Sequence, residues 1–109
     1  MGASNNLIWR SGSIIFEKGS PSDALYIVLS GRVRIFDTEE GEEVDVAEVL
    51  PGNSFAERSL LLFTTHSKSA QAAEDAEVMV IPKESFQEVL SSYPEVAEHF
   101  RRRLAQALP

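Results

Sequence analysis

A mainly β fold is what this sequence predicts: a double-stranded β-helix, or jelly roll, of about eight short strands, with one short internal helix and two C-terminal helices. Three observations lead there. Over the first three quarters of the chain, short apolar segments are separated by turns rich in Gly, Pro, Ser and Asp. Several of these segments alternate apolar and polar residues, the period of a half-buried strand. Beyond Pro82 the apolar spacing becomes helical. Many short strands with turns every eight to twelve residues, and helices to cover an open side, read as a jelly roll or small barrel.

The elements follow in order. Ser13–Phe16 is a β-branched apolar patch. Glu17–Asp23 is turn chemistry, because Gly19 tolerates positive φ and Pro21 fixes its own. Leu25–Leu29 reads as a buried strand and Ser30-Gly31 as a tight reversal. Val33 and Ile35 alternate with Arg32 and Arg34, and Glu39–Glu42 reads as a hairpin tip through Gly41. Val44, Val46 and Val49 lead to the Pro51-Gly52 turn. Ser69–Ala73 and Glu77–Ile81 are the last strand candidates, with Asp75 between them. In the final part, Phe86, Val89 and Leu90 lie at helical spacing. Pro94 suits the first turn of another helix, whose stripe is Val96, Ala97, Phe100, Leu104 and Leu108. Arg101–Arg103 suit that helix's negative end.

At 109 residues the chain is long enough for one domain, read as 1–109 with residues 1–6 outside the fold and 83–108 as the C-terminal helices. It contains no cysteine, hence no disulfide framework and no thiol nucleophile. No apolar run approaches a membrane span and no secretory start is visible, so the expected setting is the cytoplasm, or the cytoplasmic face of a membrane-anchored parent. The net charge is −7, with seven acids inside the twelve residues from Asp37 to Glu48. That balance argues against direct contact with nucleic acid, which calls for a basic face. The cluster reads as a solvated hairpin that discourages edge pairing.

One segment, Pro51–Ala72, carries recognisable chemistry. It holds a turn, an acid (Glu57), a short helix-like run (Ser59–Phe63), a polar loop, and a cation next to a hydroxyl (Lys68, Ser69). A helix opening near Glu57 or Arg58 would present backbone N–H groups that attract an anion. Lys68 would add a full positive charge, and ionised Glu57 is an acceptor for a sugar hydroxyl. Together these meet the needs of a cyclic phosphate and a ribose.

The chain resembles the cyclic nucleotide-binding domain family of catabolite-activator-type regulators, cyclic-nucleotide-dependent kinase regulatory subunits and gated channels. Gly12-Ser-Ile-Ile-Phe-Glu-Lys-Gly19 is similar to the family's opening G-x-x-I-x-x-x-G. Asp23-Ala-Leu-Tyr-Ile-Val-Leu-Ser-Gly-Arg-Val-Arg-Ile35 resembles its D-x-L-Y-x-V-x-S-G-x-V-x-V strand pair. Pro51-Gly-Asn-Ser-Phe-Ala-Glu57 resembles P-G-x-x-F-G-E, and Lys68-Ser-Ala70 lies where the family has R-S-A or R-T-A. Asp75–Phe86 is similar to the last strand and following helix. The resemblance implies a regulatory domain that binds a cyclic mononucleotide, cAMP before cGMP, and relays binding through the C-terminal helix to an effector: a transporter, channel, kinase or regulator. It implies no cofactor, no catalysis and no membrane contact by the chain itself, with a homodimer as a possible assembly. The site residues it implies are Glu57 for the ribose 2′-hydroxyl, Lys68 and Ser69 for the phosphate, and the amides of Arg58 and Ser59, which complete the cradle beside Ala56.

Three features depart from the family pattern. Ala56 stands for its glycine, Lys68 for its arginine, and the stretch from Glu57 to Lys68 is a residue or two longer. Lysine keeps the charge and loses the planar fork that grips a phosphate. These departures leave a second reading open, in which the same fold serves as an interaction or oligomerisation module without nucleotide. Arg58 either contacts the phosphate or faces water. His66 reads as a solvated loop residue and His99 as a boundary residue. Two histidines 33 positions apart make no metal site, which argues against a metal-binding cupin. Trp9 and Tyr26 are candidate base-stacking rings, with Tyr26 read first as core. No nucleophile elbow, phosphate-loop motif or metal triad points to an enzyme.

Overall fold

The period-2 segments pair into two antiparallel four-stranded sheets. The structure, a computed structural model, describes residues 5–62 and 64–107. One sheet has the order β1 (Asn5–Trp9), β8 (Ala76–Pro82), β3 (Ala24–Ser30), β6 (Ser54–Phe55). The other runs β2 (Ile14–Phe16), β7 (Ser69–Ala72), β4 (Val33–Glu39), β5 (Glu42–Val49). Three helices complete the fold: α1 (Glu57–Leu61), α2 (Lys83–Ser92) and α3 (Pro94–Ala107). The jelly roll of eight strands with one short and two C-terminal helices is thus the observed architecture. Phe63 and Leu108 lie outside the described residues.

The core forms where the inner faces meet. Val28 of β3 and Val78 of β8 lie opposite each other and are completely buried, as is Val33 of β4. Burying each such side chain is worth about 1.5–3 kcal/mol. Gly31 turns the chain from β3 to β4 at φ +80°, where a Cβ would lie 2.2 Å from the Asp75 carbonyl oxygen. Only glycine meets both demands. A second apolar cluster joins Leu25 of β3, Leu60 of α1 and Phe86 of α2, with Ile81, Leu90 and Phe100 packed against it. It fastens all three helices to the roll.

Several details differ from the sequence reading. Asn5 and Asn6 were expected outside the fold and instead begin β1, which pairs along β8 from Asn5↔Val80 to Trp9↔Ala76. Val44 and Val46 are exposed, because β5 is an edge strand with only Val49 buried. The acidic hairpin is solvated as expected except at Asp37, and its acids pair with Arg34 of β4 and with Arg32 just before it: Arg34 with Asp45 at 2.6 Å and Glu43 at 3.0 Å, Arg32 with Glu48 at 2.9 Å. Such exposed pairs add little stability. Arg34 also lies 4.1 Å above the Phe36 ring, which explains why an outward-facing phenylalanine is buried. Arg101 and Arg102 pair with Glu98 on their own helix.

Candidate ligand pocket

Pro51-Gly52 reverses the chain into β6, whose two residues pair with Tyr26 and Ile27. Ala56 then takes the left-handed conformation, φ 72° and ψ 10°, and α1 starts at Glu57. That φ suits glycine; a side chain there costs about 1–2 kcal/mol. Its return is geometric, since the turn aims the opening of α1 at the interior of the roll. The first helical bond is Leu60 N–H to the Ala56 carbonyl at 3.3 Å, so the amides of residues 57–59 lie ahead of it.

In front of this turn lies a cavity of about 230 Å³. Phe16 of β2, Ile35 of β4 and Phe55 of β6 form its apolar wall. Ala56, Glu57, Arg58 and Ser59 line it on the α1 side, and His66, Ser67 and Lys68 close it from the loop that precedes β7. The structure therefore brings together five of the six residues singled out from the sequence: Ala56, Glu57, Arg58, Ser59 and Lys68. Ser69 does not line the cavity. Its buried hydroxyl accepts a hydrogen bond from the Lys18 amide at 2.9 Å and pins the loop after β2. Tyr26 is core, stacked on Phe55 with centroids 5.0 Å apart, and Trp9 packs half-buried against the same core. Neither candidate stacking ring lines the cavity.

Several of the polar groups around the cavity are already engaged. Ser54 donates to the Glu57 carboxylate at 3.4 Å. Ser59 donates to the Ser22 hydroxyl at 2.9 Å and lies 3.4 Å from His66 Nδ1. Lys68 Nζ lies 3.6 Å from the Asp37 carboxylate. Asp37 also accepts from Lys18 Nζ at 2.7 Å. The Lys18 hydrogen bond holds the Asp37 carboxyl below its ordinary range, with help from the Thr38 amide and Lys68.

His66 corrects the sequence reading. It is 3% exposed, not solvated, and it stacks on Phe16 with centroids 3.6 Å apart and planes 6° from parallel. Its backbone is fixed as well: its N–H donates to the Ser20 carbonyl at 2.9 Å, and its carbonyl accepts from Gly19 N–H at 2.8 Å. Burial pushes its imidazole below the ordinary value of 6.5, against a smaller opposing pull from Asp23. No run of neighbouring residues signals this burial, because Thr64, Thr65 and Ser67 are exposed. Among the described residues, no group of three or more His, Cys, Asp or Glu is placed to hold a metal ion, and no helix is long and apolar enough to cross a membrane.

A β-roll with a short helix opening onto an internal cavity, an acid at that opening and a cation facing it define a ligand-binding module. Residues 7–93 match the family model described as the cyclic nucleotide-binding domain. The chain belongs to the cyclic nucleotide-binding domain family, a family of regulatory domains. It is 37% identical over 102 residues to the cyclic AMP receptor protein of Thermus thermophilus, covering 93% of this chain and 47% of that protein. The crystal structure of Thermus thermophilus catabolite activator protein superposes with a TM-score of 0.88 at 36% identity, over 94% of this chain and 49% of that one. A segment of lysophospholipase NTE1 from Phaeosphaeria nodorum is 32% identical over 100 residues, 91% of this chain and 7% of the enzyme. The cGMP-bound form of EAL enzyme Bd1971 gives a TM-score of 0.81 at 28% identity, over 94% of this chain and 27% of that one. The chain thus spans about half of the Thermus regulator and a small part of the two enzymes, whose remaining length lies outside the likeness.

Proposed function

We propose that this chain binds a cyclic mononucleotide, cAMP in preference to cGMP, in the cavity beside α1 and passes the event to an attached effector through α2 and α3. One observation carries the reading: Glu57 and Lys68, eleven positions apart in sequence, line the same cavity with the opening of α1. The Glu57 carboxylate accepts a hydrogen bond from the ribose 2′-hydroxyl. Lys68 neutralises the phosphate, and the amides of Arg58 and Ser59 donate to its oxygens; Ser69, outside the cavity, holds the loop after β2 in place. Phe16, Ile35 and Phe55 supply an apolar wall for the sugar and base.

The likeness to the Thermus cyclic AMP receptor protein supports cAMP, while Bd1971 is known in both cGMP-bound and cAMP-bound forms. The relay has a physical path. Leu60 of α1 is buried against Phe86 of α2, and Phe86 meets Phe100 of α3 edge-on at 5.0 Å. A ligand that favours one position of α1 therefore shifts the population of α2 and α3, by no more than its difference in affinity for the two states. In this reading the chain is a sensor that does no chemistry of its own, in the cytoplasm or on the cytoplasmic face of a parent protein. The ion pair already formed between Lys68 and Asp37 favours a second reading, an interaction or homodimerisation module with no nucleotide.

Titration calorimetry with cAMP and cGMP separates the two. The expected result is saturable binding, tighter for cAMP, with Glu57→Ala and Lys68→Ala each weakening it about tenfold to a hundredfold, the worth of a hydrogen bond to a charged group. No heat from either nucleotide at millimolar concentration leaves only the second reading.

A further inference from the structure

The cation that would hold the phosphate already has an anionic partner. β4 and β7 pair with Phe36 opposite Ser69, so the next step along the ladder sets Asp37 opposite Lys68. Asp37 lies an even number of residues from Val33 and Ile35, so alternation puts it on their face, the one that carries Ile35 into the cavity wall. Its side chain is only 15% exposed and meets two ammonium groups, Lys18 at 2.7 Å and Lys68 at 3.6 Å. The unequal distances assign unequal roles. Lys18 is the close, hydrogen-bonded partner; Lys68 is the outer one and the only one of the two that lines the cavity.

We propose that Asp37 is an internal counter-ion that competes with the ligand's phosphate for Lys68, and that Lys18 shields Asp37 when Lys68 turns to the ligand. The inference rests on the cyclic nucleotide reading and adds a residue that tunes its affinity. Two charge pairs are exchanged on binding. Lys68 leaves one carboxylate for one phosphate, and the carboxylate left behind keeps its hydrogen bond from Lys18. Removing Asp37's charge frees Lys68 in advance; removing Lys18 leaves Asp37 with Lys68 alone and strengthens its hold.

A double-mutant cycle on the full chain tests this, with cAMP affinity as the readout. Asp37→Asn keeps an acceptor for Lys18 and the Thr38 amide, and is expected to tighten binding roughly twofold to fivefold, the range for a partly exposed ion pair. Lys18→Met is expected to weaken binding severalfold in the unmutated background and to change nothing in the Asp37→Asn background. Equal effects of Lys18→Met in both backgrounds would show that Lys18 acts through its own charge, and would overturn the proposal. Unchanged or weaker binding by Asp37→Asn, with the unmutated chain binding, overturns the proposal and leaves the nucleotide reading intact. Binding by Asp37→Asn alone supports the proposal and ends the nucleotide reading for the unmutated chain. Binding by neither ends both. Should Asp37→Asn fail to fold, Lys18→Met alone decides: unchanged affinity overturns the competition.

Discussion

The cavity has two sides built on different physics. Its wall is a stack of rings: His66 on Phe16, Phe16 tilted against Phe55 at 6.0 Å, Phe55 on Tyr26. Its rim is a set of charges near water: Glu57 and Lys68, half-buried and with half-buried partners Ser54 and Asp37, and the exposed Arg58. The wall contributes to folding through buried area and close packing, which tolerate few changes. The rim contributes little to folding, because charges near water gain and lose little by pairing. Function can therefore vary at the rim while the roll persists; of the three departures from the family pattern, Lys68 falls on the rim and Ala56 where rim and wall meet.

The contrast breaks most sharply at Phe55. It is 5% exposed in a two-residue strand with rings on two sides. Phe55→Ala is expected to cost about 3–5 kcal/mol and lower the melting temperature by more than about 10 °C, followed by circular dichroism. A loss under about 1 kcal/mol would mean the wall is not the structural side.

His66 sharpens the contrast next, since its imidazole is the wall ring that titrates near neutral pH. Its folded pKa is depressed by burial, so the unfolded chain binds the proton more readily. Its contribution to stability is complete above about pH 6.5, the unfolded value, and is lost as pH falls below that toward the lower folded value. Melting temperatures measured from pH 8 to 5 should fall across that window, and His66→Gln should remove part of the slope. An NMR titration placing the His66 midpoint at or above the ordinary value contradicts the burial argument.

The smallest expected effect is at Ala56, where wall and rim meet. Ala56→Gly removes the left-handed strain, and the greater freedom of glycine in the unfolded chain returns about half of it. The net gain should be about 0.5 kcal/mol, a rise of about 2–4 °C. A fall in melting temperature would show that the packed methyl matters more than the dihedral.

The same division explains what could be read from the sequence. The rim residues are consecutive or motif-spaced, so Ala56, Glu57, Arg58, Ser59 and Lys68 were legible together. The long strands were legible because alternation in β4 and β5, and an unbroken apolar run bounded by turns in β3, are strong local signals. β1 was not, since its partner β8 is about seventy residues away and Leu7-Ile8 shows no alternation. β6 is two residues long, too short to have a period. His66 is buried by Phe16, fifty positions earlier, and its polar neighbours point the other way. Asp37 was absorbed into the acidic hairpin; only the register of β4 on β7 distinguishes it from the six acids that follow.

The central claim is that the rim binds the nucleotide while the wall holds the fold, and one paired measurement on Lys68→Ala tests it: calorimetric affinity for cAMP beside the thermal melt. The account predicts affinity reduced at least about tenfold with a melting temperature within about 2 °C of the unmutated chain. Affinity equal to that of the unmutated chain, or a melting temperature that collapses together with binding, contradicts it.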